Sequence, residues 1–501
     1  MKHTAIINLD APGPKISKHI YGHFAEHLGR CIYDGFYVGD SDTIPHKKGL
    51  RLDVIEAFKN LNIPNLRWPG GCFADEYHWK DGIGPKEQRP EMINTHWGGV
   101  VENNHFGTHE FMDLCEELET EPYITGNLGS GSVHEMSQWV EYLTFDGKSP
   151  MTELRQKNGR DKPWKVKYWG VGNENWGCGG GMTGEFYADQ ARRYATYCRS
   201  YGDNTLYKIA CGPNSDDYNW MEAVMKSMVY CPAGLPADRF VRGVSLHYYT
   251  IAGTWEEKGK ALEDDRNKWL QIMKRSWFME ELITRHSAVM DRYDPEKKIG
   301  MIVDEWGTWH QVEEGTNPGF LYQQNSIRDA LSASLQLDIF HNHADRVYMA
   351  NLAQAVNVLQ SPVLTEGDKM ILTPTYHVLE MNKEHMDADS LPVFLDTADH
   401  KSESEGKEFS TLSMSASRKG KSYLVSMTNL DPEKGKTVTL DLRGEKIGEI
   451  KARILSGQRL NSHNSFESPE AVKPEDFRDF ELKGTTMEIN LPARSFVTFS
   501  F

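Results

Sequence analysis

The cysteines encode neither a dithiol redox site nor a zinc ribbon. There are seven of them (Cys31, Cys72, Cys115, Cys178, Cys198, Cys211 and Cys231), odd in number, scattered, and without a CxxC pair. Reduced thiols in a cytoplasmic compartment account for them most simply. Positive charge is also scarce. Lys and Arg number 56 against 72 Asp and Glu, a formal net charge of -16. The basic face that a phosphate backbone requires is therefore not expected, nor is a nucleic-acid partner. No apolar run is long enough to cross a bilayer, which argues against a membrane partner. The opening residues Met1 to Asp10 lack an apolar stretch of signal-peptide length. Gly70-Gly71 lacks the GxGxxG spacing of a dinucleotide turn. Gly177-Cys178-Gly179-Gly180-Gly181 lacks the Lys-Ser/Thr of a phosphate loop and reads as a flexible loop. Neither a solenoid-length repeat nor a low-complexity tract is found.

What is present is a large core and an ordered alternation. The 501 residues exceed one ordinary domain, and 13 Trp, 21 Tyr and 20 Phe supply ample apolar bulk. From about residue 18 to about 355, short apolar runs alternate with amphipathic stretches. Strands are predicted at 20–24, 65–68, 122–125, 167–171, 207–211, 243–247, 298–304 and 346–350. Helices are predicted between them at 50–60, 109–119 (with Thr108 as N-cap), 133–143, 185–201, 220–229, 269–290 and 326–340. Eight such units predict a closed (β/α)8 barrel over residues 18–378. Beyond about residue 380 the texture becomes short alternating strands between turns (412–416, 422–429, 436–441, 450–455, 486–491 and 496–501), with a polar, loop-rich stretch from 456 to 483. This predicts an antiparallel β-sandwich over 379–501, which the opening strand within residues 1–17 is expected to join.

Two segments carry the chemistry. Trp169-Gly170-Val171-Gly172-Asn173-Glu174-Asn175-Trp176 and Met301-Ile302-Val303-Asp304-Glu305-Trp306 are apolar runs that stop at a glutamate among polar and aromatic residues. Glycosidic cleavage needs two such carboxyl groups, one to protonate the leaving oxygen and one to attack or stabilise the sugar cation. By strand count Glu174 follows the fourth strand and Glu305 the seventh, which face each other across a barrel mouth. Asp304 is expected to face away from Glu305, because neighbouring strand residues point to opposite sides, and to serve as a supporting acceptor. Arg67, His247 and Gln354 likewise follow apolar runs, at the strand ends where barrel sites form.

The motif set Ile20-Tyr21-Gly22-His23-Phe24-Ala25-Glu26-His27-Leu28-Gly29-Arg30, Arg67-Trp68-Pro69-Gly70-Gly71-Cys72-Phe73, Gly172-Asn173-Glu174, Ser245-Leu246-His247-Tyr248-Tyr249, Asp304-Glu305-Trp306 and Asn351-Leu352-Ala353-Gln354 resembles, in order, the α-L-arabinofuranosidases of glycoside hydrolase family 51. The resemblance implies a retaining, exo-acting enzyme on arabino-oligosaccharides or arabinoxylan fragments, without metal or organic cofactor. It also implies a homo-oligomer, commonly a hexamer. By the same resemblance Glu174 is the acid/base and Glu305 the nucleophile. Glu26 binds furanose hydroxyls, Asn173 hydrogen-bonds the 2-OH, Tyr249 stands near the nucleophile and Gln354 holds the sugar. Many relatives carry Asn where this chain has Cys72, and a thiol is a poorer hydrogen-bond partner than an amide.

Several residues admit a second reading. Arg67 either contacts substrate or braces the catalytic carboxylates, and the brace is preferred. Trp97, Trp176 and Trp309 are subsite walls or core residues with equal weight. His23-Phe24-Ala25-Glu26-His27 fits the HxxEH zinc-peptidase pattern, but the residues before it read as strand and no third ligand follows. His105, His109, His341 and His343 read as loop or surface residues. The nearest rival is another retaining barrel glycosidase, an endo-glucanase or β-xylosidase. A non-catalytic sugar-binding protein would not need both glutamates.

Overall fold

A computed structural model of the chain describes residues 2–231, 234–396 and 401–501. Eight parallel strands close into a barrel. In chain order they are Gly22–Phe24, Asn65–Trp68, Glu121–Gly126, Tyr168–Val171, Tyr207–Ala210, Gly243–Thr250, Gly300–Thr308 and Val347–Leu352. Each is followed by helix, the first by Leu52–Leu61, the sixth by the long Arg266–Tyr293 and the eighth by Pro374–Asn382. The lower interior is filled by Tyr123, Tyr168, Ile209, Ile302 and Met349. This plug separates the amino ends of the strands from the cavity at their carboxyl ends.

The first strand begins at Gly22 rather than Ile20, because Lys18–Tyr21 forms a 3-10 turn. A Cβ at Gly22 would lie 2.6 Å from Asn65 Oδ1, so only glycine lets the first two strands approach. Thr108 is the first residue of its helix, and Gly107 is the cap. The Thr108 hydroxyl accepts instead from Trp139 Nε1 at 3.1 Å, and the Glu110 carboxylate accepts from Gly107 N at 2.9 Å. The helix after the fourth strand, expected to span 185–201, runs Gly184–Tyr197.

The C-terminal part is two packed sheets, of five and six strands. Lys2–Asn8 lies in the five-stranded sheet, parallel to Lys436–Arg443 and antiparallel to Val393–Leu395. Alternation along Lys436–Arg443 buries Val438, Leu440 and Leu442 against Val425, Met427, Val497 and Phe499 of the other sheet. The strand Leu412–Lys419 is buried on both faces because its outer side meets the barrel helix Ile327–Asn342. There Ser413 and Ser415 each donate to Asp338 at 2.7 Å. His341, expected at the surface, is buried in this seam between Tyr21 Oη (2.8 Å) and Ser415 Oγ (3.0 Å). The helix is wedged between two layers, so it has no solvent face on which to place it. Among the described residues no helix is long and apolar enough to cross a membrane.

Candidate active site

A cavity of about 810 Å³ opens at the carboxyl ends of the barrel strands. Glu26, Cys72, Glu174, Tyr249, Glu305 and Gln354 line its floor, and Trp97, Trp176 and Trp309 its walls. Arg67 and His247 are buried and bonded from behind to Glu305 and Glu174 respectively, and the buried Asn173 accepts from Arg67 with its side-chain oxygen.

Glu174 sits in the turn after the fourth strand with φ +43°, a left-handed conformation that a non-glycine residue adopts at a cost. Its neighbours hold it there. Asp75 accepts from Asn173 N (2.9 Å) and Asn175 Nδ2 (3.2 Å) with one oxygen, and from Leu128 N and Gly129 N (2.7 Å each) with the other. The Gly177–Gly181 segment, expected to be flexible, is a defined turn in which Gly179 N donates to Glu174 O at 3.0 Å. A Cβ at Gly179 would lie 2.1 Å from Asn173 O.

Asp304 does not face away from Glu305. The register of the seventh strand shifts between Val303 and Trp306, and that of the sixth between Ser245 and His247. Strict alternation is lost, and both carboxylates turn inward. Asp304 accepts from Tyr123 Oη at 2.7 Å and from His247 Nε2 at 3.0 Å. Glu305 accepts from Arg67 at 2.9 Å and from Tyr249 Oη at 2.8 Å. Trp306 leaves the site altogether and packs edge-on against Phe340. A carboxylate oxygen of Glu174, a ring nitrogen of His247 and a carboxylate oxygen of Glu305 all lie within 4.8 Å of one another.

The electrostatics of the cluster favour the protonated form of Glu174. Burial alone would lower the His247 pKa, but Glu305, Asp304 and Glu174 push it up to about 10. His247 is therefore an imidazolium, with Nδ1–H on Glu174 (2.8 Å) and Nε2–H on Asp304. Burial opposes the Asp304 charge as well, yet Arg67 and His247 hold its carboxyl below the ordinary range. The cations Arg67 and His247 thus match the anions Asp304 and Glu305. Glu174 has no cation to itself. Burial first, and the Glu305 charge second, raise its pKa.

Glu26 completes the floor. It accepts from Phe73 N (3.0 Å), Trp97 Nε1 (2.9 Å) and Gln354 Nε2 (2.7 Å). Burial and the Glu305 charge still push it up to about 7. Among the described residues, Asn173 Nδ2 and Gln354 Oε1 are buried and have no partner, as expected of groups that wait for a ligand hydroxyl.

Cys72 is not a thiol here. It is bonded to Cys178, 106 residues away in the chain, and the pair flanks Glu174. The reading of seven reduced cysteines is corrected accordingly. Two loops that are distant in sequence bring the sulfurs together, and no CxxC spacing marks them. The zinc-peptidase pattern also dissolves. His23 packs on Phe58, and His27 is used by Glu102 (2.8 Å) and Trp68 Nε1 (3.1 Å). Asp75 and Tyr123 went unnoticed in the sequence, although Asp75 follows the Gly70-Gly71-Cys72 turn closely. Also unforeseen is the hairpin of Lys401–Ser404 and Lys407–Ser410, which brings Glu405, Lys407, Glu408 and Phe409 to the cavity rim. Glu405 anchors it on Lys274 (2.7 Å) and Arg275 (2.5 Å) of the barrel.

Residues 57–232 match the family model described as α-L-arabinofuranosidase 1 domain, and residues 304–495 the α-L-arabinofuranosidase C-terminal domain. The chain is 49% identical, over 99% of its length and 95% of the relative's, to an intracellular exo-α-L-arabinofuranosidase of Bacteroides ovatus. Its fold matches the crystal structure of the GH51 arabinofuranosidase from Xanthomonas axonopodis pv. citri with a TM-score of 0.96 and 46% identity, covering 100% and 99% of the two chains. The chain belongs to the α-L-arabinofuranosidases of glycoside hydrolase family 51. A more distant arabinofuranosidase has the same architecture. An arabinose complex of the α-L-arabinofuranosidase from Thermotoga maritima, 30% identical, superposes over 100% of both chains with a TM-score of 0.85. In this family-51 chain the C-terminal family model begins at Asp304, inside the seventh barrel strand.

Proposed function

We propose that the chain is a retaining, exo-acting α-L-arabinofuranosidase that releases terminal arabinofuranosyl units from arabino-oligosaccharides or arabinoxylan fragments. Glu305 is the nucleophile and Glu174 the acid/base. The observation that carries this reading is the approach of the two glutamates within 4.8 Å around one imidazole. Retaining enzymes hold their carboxyl groups about 5–5.5 Å apart, whereas inverting ones leave about 6.5–9.5 Å for a water.

The electrostatics set the order of events. Glu305 attacks the anomeric carbon while Glu174 gives its proton to the leaving oxygen. Esterification cancels the Glu305 charge, which is one of the two causes that raise the Glu174 pKa. Glu174, left as a carboxylate after the first step, takes a proton from water as that water attacks the anomeric carbon, breaks its bond to Glu305 and regenerates both carboxyl groups. Glu26, Asn173 and Gln354 bind sugar hydroxyls, and Arg67 and Tyr249 hold the nucleophile in line. Trp97, Trp176 and Trp309 offer apolar faces. We infer further that the enzyme works in the cytoplasm as a homo-oligomer, a hexamer by family resemblance. The relative named intracellular supports the compartment.

Azide tests the assignment. Glu305→Ala should lose turnover and regain it with azide, giving a glycosyl azide of inverted configuration. Glu174→Ala should turn over best on substrates with good leaving groups, and azide should rescue it with retention. Near-normal rates in both variants on all substrates would overturn the assignment. Turnover of an aryl xyloside or carboxymethyl-cellulose, without an aryl arabinofuranoside, would instead favour the xylosidase or endo-glucanase.

A further inference from the structure

Glu174 divides its two oxygens between unlike neighbours. Oε1 takes His247 Nδ1 at 2.8 Å, while Oε2 faces sulfur, with Cys178 Sγ at 3.5 Å and Cys72 Sγ at 3.7 Å. Two thiolates and a carboxylate around a tetrahedral zinc-type ion, with bonds of about 2.3 Å and 2.1 Å, place each sulfur about 3.6 Å from the oxygen. Both oxygen–sulfur edges of that tetrahedron already exist. The third edge requires the sulfurs to part from bonding distance to about 3.8 Å, and the Cα atoms, 5.6 Å apart, leave room for it. All three side chains are half-buried, and Cys72 lines the cavity, so a small reagent reaches them.

We propose that the Cys72–Cys178 bridge is the oxidised cover of a soft-metal site, and that its reduction lets Cys72, Cys178 and Glu174 take up one divalent cation of the zinc class and silence the enzyme. A dithiol reductant supplies two electrons and two protons, leaves as its own cyclic disulfide, and frees two thiols. Cation binding then expels both thiol protons and any proton on Glu174, and water fills the fourth position. A carboxylate bound to metal has no proton to give to the leaving oxygen. The neighbouring triad of Glu174, His247 and Glu305 is a poorer host, because Arg67 at 2.9 Å from Glu305 already supplies a positive charge there. The inhibitory part rests on the acid/base role of Glu174, whereas the metal binding does not.

The test compares wild-type enzyme oxidised, wild-type enzyme reduced with a dithiol and desalted without air, and reduced Cys178→Ser, each given one equivalent of zinc or of cobalt(II). Reduced wild type should retain one zinc per chain, show thiolate-to-cobalt charge-transfer absorption, and lose about 10²-fold or more in turnover of a poor-leaving-group arabinoside. A chelator should restore the activity. Oxidised enzyme and Cys178→Ser should retain no stoichiometric cation, and reduced Cys231→Ser should behave as wild type. Equal zinc uptake by oxidised enzyme, or absence of the thiolate band in reduced wild type, would overturn the site. Because the oxidised wild type is itself a folded negative control, this holds even if Cys178→Ser misfolds. Stoichiometric zinc with the band but undiminished turnover would overturn the acid/base role of Glu174 together with the inhibition.

Discussion

Replacing Glu305 with glutamine removes one negative charge from the barrel mouth and leaves the side chain nearly the same size. Glu174 is the group that should respond, because the Glu305 charge raises its pKa. With an oxygen–oxygen approach within 4.8 Å and an effective dielectric of about 20, the lost repulsion is roughly 3 kcal/mol, equivalent to about 2 pH units. Arg67, deprived of its 2.9 Å partner, adds uncompensated positive charge nearby and pushes in the same direction. The Glu174 midpoint in Glu305→Gln should therefore fall by about 2 pH units or more. Carbon-13 NMR of protein labelled at the glutamate carboxyl carbon reads this directly, with the Glu174 resonance assigned by its loss in Glu174→Gln. In the mechanism proposed above, the substitution mimics the charge of the glycosylated enzyme, and the same fall would turn acid into base in the second half-reaction. A midpoint that stays or rises would refute the claim that Glu305 sets the protonation of Glu174.

Three further expectations follow from the same geometry. Tyr249→Phe removes the hydroxyl that donates to Glu305 at 2.8 Å; a hydrogen bond to a charged group is worth about 1.5–3 kcal/mol, so kcat/KM should drop roughly 10- to 100-fold, and an unchanged value would exclude a positioning role. Arg67→Met leaves Asp304 and Glu305 buried with less compensation, which should lower unfolding stability in urea by about 3–5 kcal/mol; a loss of activity with full stability would contradict this. His385 is hydrogen-bonded to Ser417 and Ser426, at 2.7 and 2.8 Å, and burial lowers its pKa to about 3. Between about pH 3 and its unfolded value of about 6.5 the unfolded chain binds the extra proton, so stability falls as pH drops through that window. His385→Gln should flatten the slope by about one proton, or roughly 1.4 kcal/mol per pH unit, measured by urea titrations at several pH values.

The chain order of the motifs was enough to place the two glutamates, because strand-end polar residues in a closed barrel must converge on one face whatever the helices do. Arg67, Asn173, His247 and Gln354 were legible for the same reason, whereas Glu26 and Tyr249 were picked out only by the resemblance to the family. Asp304 was misplaced because alternation assumes an unbroken register, and the shift before Trp306 leaves no mark in the local sequence. His341 was misplaced because a helix buried on all sides has no hydrophobic stripe to betray which face is covered.

Periodicity and turn chemistry, which are short-range, thus determined the barrel, the sandwich and the position of both carboxyl groups along the strands. Contacts between distant segments were left to the tertiary structure. It decided the bridge between Cys72 and Cys178, the clamp of Asp75 on the turn that bears Glu174, the hairpin that Glu405 ties to the barrel rim, and the imidazolium state of His247. Each of these depends on which groups share a low-dielectric space, and a proton or a covalent bond responds to neighbours in space, not to neighbours along the chain.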